Sequence, residues 1–146
     1  MNFVYDDGGR SAAGFKGHTG DCVVRAIAIA TGLPYRSVYD DLFYLTKEAQ
    51  KLGIRMRGKN ASPRFGVPKA VFDSYLEVLG WTWTPTMKFG QGCTTHLDTA
   101  ELPSGRLVVQ VSKHVVAIID GVIHDTYDPS RGGTRCVYGY WRKESA

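Results

Sequence analysis

The chain has 146 residues, 43% of them hydrophobic, which is enough for one domain spanning 1–146 with a sizeable core and too few for two. Its net charge of +4 and pI near 9.0 are mildly basic, permitting an acidic partner without requiring one. The first eight residues carry Asp6 and Asp7 and no apolar stretch, so no signal peptide is read, and no apolar run reaches bilayer length, so no membrane partner is expected.

In chain order, residues 1–18 read as an irregular, Gly-rich lead-in lying across the domain. A helix then runs from Asp21 or Cys22 to Thr31. Its core, Val23-Val24-Arg25-Ala26-Ile27-Ala28-Ile29-Ala30, is apolar on nearly every face, as a buried helix would be, and Gly32 takes the left-handed closing position. The spacing of Val38, Leu42, Leu45 and Ala49 predicts a second helix from Pro34 or Tyr35 to Leu52, ended by Gly53. A third, from Pro68 to Leu79, places Val71, Tyr75, Leu76 and Leu79 on one side and is closed by Gly80.

From Trp81 the period changes, and Trp81-Thr82-Trp83-Thr84 alternates like a half-buried strand. Thr94 or Thr95 caps a short helix through Ala100, before Pro103-Ser104-Gly105 turns the chain into a strand from Arg106 to Val111. His114 opens a strand through Ile119, Asp120-Gly121 is a two-residue turn signal, and Val122 to Tyr127 returns as the second strand of a hairpin. A last strand lies near Thr134 to Trp141. Helices first and an antiparallel sheet afterwards is an α+β pattern. The three tryptophans, Trp81, Trp83 and Trp141, read as core and rim packing.

Cys22 stands where the polar run Gly17-His18-Thr19-Gly20-Asp21 meets the buried helix. Unpaired N–H groups and the positive end of the helix dipole favour an anion there, which shifts a thiol toward the nucleophilic thiolate. With Asp120-Gly121 at the centre of the turn, Ile119 opposes Val122 and Val116 opposes Asp125, so alternation puts His114 and Asp125 on one face as diagonal neighbours. That carboxylate can hold one imidazole nitrogen while the other faces a thiol. Asp128 is a rival for the role, though its place before Pro129 suits an Asx turn, and His124 falls on the opposite face from Asp125.

Cysteine at the start of a central helix, then histidine at a strand start, then aspartate on the next strand resembles the papain-like cysteine peptidase superfamily. The likeness is to its small members, such as bacteriocin-processing and cell-wall-peptidase domains, and to uncharacterised phage and prophage proteins. It spans roughly Thr19 to Trp141. The resemblance implies a papain-like fold with a buried nucleophile helix ahead of an antiparallel sheet. It also implies Cys22 as nucleophile, His114 as general base and acid, and Asp125 as the group that orients the imidazole. One departure stands out: an amide side chain shortly before the cysteine often completes the oxyanion hole in that superfamily, and no Asn or Gln lies between Asn2 and Cys22. Lys16, His18 and Thr19 are the side chains available there for oxyanion or loop support, beside the Cys22 backbone N–H.

Cys22, Cys93 and Cys136 cannot all pair and are too sparse for a disulfide framework, so a reducing, cytoplasmic setting is expected. Cys93 and His96 have the Cys-x2-His spacing of a zinc pair, but no second pair accompanies them, so no metal is expected. Lys51, Arg55, Arg57, Lys59, Arg64 and Lys69 form a run without acids, read either as a solvated loop or as a contact for an acidic substrate or partner through Arg55, Arg57 and Lys59. Only Phe65 is interleaved, so nucleic acid is not an expected partner. The expected activity is hydrolysis of an amide or isopeptide bond in a protein or peptide through a thioacyl intermediate, without a cofactor; acyl transfer and deamidation suit the same residues. The alternative from another class is a papain-fold binding module that inhibits or adapts a partner protein.

Overall fold

The computed structural model describes residues 1–16, 20–54, 61–88 and 90–143. Among these described residues, three helices, α1 (Cys22–Thr31), α2 (Tyr35–Lys51) and α3 (Lys69–Val78), combine with six strands, β1 (Asn2–Tyr5), β2 (Thr82–Pro85), β3 (Arg106–Val111), β4 (His114–Ile119), β5 (Val122–Asp125) and β6 (Val137–Arg142). The fold is therefore α+β. The helix boundaries follow the expected punctuation: Gly32 ends α1 at φ 77°, its N–H donating to the Ala28 carbonyl at 2.9 Å, and Gly80 follows α3 at φ 89°.

The strands form one sheet in the order β1-β5-β4-β3-β6-β2. All neighbours are antiparallel except β1 and β5, which run parallel with Tyr5 opposite Asp125. The sheet is thus mixed rather than antiparallel, and the lead-in is not wholly irregular. Because all four residues of β1 are exposed, this strand has no buried face to impose a hydrophobic alternation. After it, Asp6 and Asp7 accept from the N–H groups of Gly8 and Gly9, each at 2.9 Å, turning the chain across α1. Gly8 has φ 70°, and a Cβ there would lie 3.2 Å from the Arg25 backbone, so the segment rests directly on α1.

Two apolar layers flank the sheet. Val24 and Ile27 of α1, Val38 and Leu42 of α2 and Leu76 of α3 pack with Val108, Val115, Ala117 and Trp141. Leu97 and Leu102 cover the other face over Val109, Val116, Ile118, Ile123 and Val137. Burial on both faces explains why β3 and β4 read as continuous apolar runs. The short helix expected through Ala100 is instead extended chain, with Leu97 N–H donating to the Arg135 carbonyl and Val137 N–H to the Thr95 carbonyl, each at 2.8 Å. Only a single 3-10 turn, Thr99–Glu101, follows, capped by Asp98. The backbone of 95–97 finds its partners beside β6, which overrides a local cap signal. Turns around Ser130 and Arg131 likewise delay the last strand from Thr134 to Val137.

Cys93 and Cys136 form a disulfide with Cα atoms 5.8 Å apart. Sparse cysteines that cannot all pair led to the expectation of a reducing setting, yet two of the three are joined here; 43 residues separate the partners, and only the fold brings them together. Among the described residues no helix is long and apolar enough to cross a membrane.

Candidate active site

The site is assembled at one end of the sheet. His114 is the first residue of β4, and Asp125 is the last of the antiparallel β5, so both lie at that end. The hairpin has the expected register: Ile119 pairs with Val122, Ile118 with Ile123 and Ala117 with His124. Asp120 and Gly121 both have positive φ, 48° and 78°, the signature of a type I′ turn. The second strand stops at Asp125 rather than Tyr127 because the Thr126 N–H turns back to the Asp125 carboxylate at 2.7 Å.

His114 Nε2–H donates to Asp125 Oδ2 at 2.6 Å, which leaves Nδ1 to face a thiol. That thiol is Cys22, the half-buried first residue of α1 and the free cysteine of the chain. Burial alone would raise the Cys22 pKa, but a hydrogen bond and charge interaction with His114, the Val115 N–H and the Arg25 charge bring it below its ordinary value. Burial would lower the His114 pKa; hydrogen bonds with Asp125 and Cys22 overcome it and push it up to about 9. The structure thus brings Cys22, His114 and Asp125 together with charges that favour a thiolate–imidazolium pair. Tyr127 lies beside the imidazole, ring centroids 5.1 Å apart.

Asp128 is occupied elsewhere, accepting from the Ser130 N–H at 2.9 Å in an Asx turn. His124 faces away and pairs with Asp6 at 3.3 Å. Lys16 is exposed, its carbonyl accepting from the Arg64 guanidinium. His18 and Thr19, and with them Arg55, Arg57 and Lys59, lie outside the described residues. Cys93 is committed to its disulfide and His96 lies 3.2 Å from Glu101, so the two do not form a zinc pair.

Behind the triad lies a buried charge cluster that the sequence reading did not single out. Arg25 donates to Asp21 through Nη1 and to Asp125 Oδ1 through Nη2 at 3.3 Å. Asp21 also accepts from the Tyr35 hydroxyl at 2.5 Å and lies 3.5 Å from Arg10 Nε. Burial and the Asp21 carboxylate push the Tyr35 hydroxyl well above its ordinary pKa. The available signal was Arg25 itself, the lone charge in an otherwise apolar helix.

A cleft of about 550 Å³ opens beside His114. Val23, Phe65, Val67 and Phe72 contribute apolar walls, and Lys69, Gln110 and Lys113 line it as polar groups, two of them cationic. No protein-family model, curated protein or solved structure matches the chain.

Proposed function

We propose that the protein is a cysteine hydrolase that cleaves an amide or isopeptide bond through a thioacyl intermediate. The observation that supports this reading is the 2.6 Å bond between His114 and Asp125, on the imidazole that also hydrogen-bonds Cys22.

In this reading the Cys22 thiolate attacks the substrate carbonyl carbon, and the carbonyl π electrons move onto oxygen. The resulting oxyanion meets first-turn N–H groups of α1, including that of Cys22, which have no intrahelical acceptor. Collapse expels the amine, which takes a proton from the His114 imidazolium and leaves a thioester on Cys22. Neutral His114 then takes a proton from water as the water oxygen attacks the thioester. Release of the acid regenerates the thiolate–imidazolium pair, while Asp125 holds the imidazole in one tautomer throughout. The cleft beside His114 would receive a peptide side chain next to the reacting bond. The same thioester could pass to an amine in transfer or arise from a glutamine side chain in deamidation.

A binding module is the second reading. The lack of any Asn or Gln between Asn2 and Cys22 favours it, because losing one oxyanion donor can cost roughly 10²–10³ in rate. Exposure to a nitrophenyl acyl ester, followed by mass analysis, separates the two. The hydrolase reading expects one acyl group on Cys22, lost with time in the native protein and not formed in Cys22→Ala. No adduct, or one formed equally well in His114→Ala, would contradict it.

A further inference from the structure

We propose that Arg25 is a positioning residue for the candidate site, fixing the orienting carboxylate Asp125 from the same helix that carries the nucleophile; this rests on reading Cys22 as the nucleophile. Arg25 lies three residues beyond Cys22 on α1, and Asp21 immediately precedes it. The guanidinium bridges Asp21, the residue that leads into its own helix, to Asp125, at the end of β5. Asp125 is then held from both sides: Oδ1 receives Arg25 and the Thr126 N–H, while Oδ2 is left for His114. Any displacement of α1 from β5 would loosen nucleophile and orienting acid together.

The charges alternate along this chain: Cys22 thiolate, His114 imidazolium, Asp125, Arg25, Asp21 and Arg10. Tyr35 from α2 faces Asp21, and Tyr127, with Arg135 beside it, faces the Asp125 and Cys22 end. Arg25 and Asp21 are 8% and 1% exposed, so water screens their fields weakly. Stability alone does not call for such a cluster, since buried ion pairs are often replaceable by apolar side chains without loss. What an apolar residue at 25 could not supply is a two-pronged donor that fixes Asp125 and a positive charge that favours the Cys22 thiolate.

The test is the pH dependence of Cys22 alkylation by iodoacetamide, which needs no substrate. Removing the positive charge in Arg25→Gln should move the acid limb of the profile up by about one pH unit, so that alkylation below the limb slows about tenfold. Arg25→Lys keeps the charge but not the two-pronged donor, so it should move the limb by clearly less than Gln does. Asp21→Asn removes the opposing charge and should move the limb down. Equal displacement in the Gln and Lys variants, or no displacement in Gln beside a lowered melting temperature, would show a merely structural arginine and overturn the proposal. Should Arg25→Gln not fold, the Asn variant decides: an unmoved limb overturns it equally. The native profile tests the underlying reading separately, because without a limb below that of ordinary cysteine the nucleophile assignment fails before any variant is compared.

Discussion

At His114, burial and partners act in opposite directions, and the partners prevail. Its pKa of about 9 keeps the imidazolium present at neutral pH. Because this folded value lies above the ordinary 6.5, the stabilisation it brings is fully present below about pH 6.5 and is lost as pH rises through about 9. Cys22 has the reverse sign: its folded pKa lies below 9.0, so its contribution is present above that value and is lost as pH falls through the folded one. Denaturant midpoints should therefore change little between about pH 6.5 and 9, where the His114 loss and the Cys22 gain oppose each other, whereas Cys22→Ser, which keeps the Asp125 partner of His114 but not the thiol, should make midpoints fall as pH rises above about 6.5. At Asp125, Asn would favour the wrong imidazole tautomer and remove the counter-charge, with an expected loss of turnover or Cys22 alkylation on the order of 10–10³. Asp128→Asn should change little, because that carboxylate serves the Ser130 turn. A damaging Asp128→Asn with a silent Asp125→Asn would place the third group elsewhere.

The β4–β5 hairpin is the element that aligns His114 with Asp125, and it was legible because Asp-Gly names its own turn and fixes the register of both strands. A methyl at Gly121 would meet the left-handed conformation at φ 78° and approach Thr99 Cγ2 to 2.6 Å. Gly121→Ala should thus cost about 1–2 kcal/mol from backbone conformation alone, read as a shift of the denaturant midpoint. A neutral result would mean that the turn relaxes without holding the register. Helix α1 was equally legible, through its unbroken apolar run and Gly32. Strand β1 was not: it is short and fully exposed, and its support is hydrogen bonding to β5, which leaves no pattern in its own residues. The role of Arg25 was hidden for a related reason. A lone charge in a buried helix advertises a partner, but Asp125, the partner that matters, lies 100 residues away.

Across the whole molecule, the sheet is covered on one face by the helices and on the other by the 95–102 segment that carries Leu97 and Leu102. The disulfide ties that covering segment to the start of β6, because Cys93 precedes it and Cys136 lies beside His96. Replacing both cysteines with Ser should lower stability by about 2–4 kcal/mol, measured by denaturant unfolding, through greater freedom of the unfolded chain. The Cys22 alkylation profile should not change, since the disulfide lies outside the triad. A changed profile would mean that the covering segment helps to place β4. No spacing rule could have revealed this pairing, because it depends on where β6 returns in the sheet.

The most direct measurement is the rate of iodoacetamide alkylation at Cys22 as a function of pH in the native, disulfide-intact protein, compared with His114→Ala. The account expects the native rate to rise through a value below the 8.5 or so of an ordinary cysteine, and the variant to lose that early rise and react more slowly at pH 7. A native rate that rises only through the ordinary value, unchanged in His114→Ala, would contradict the pairing of thiol and imidazole on which the site is built.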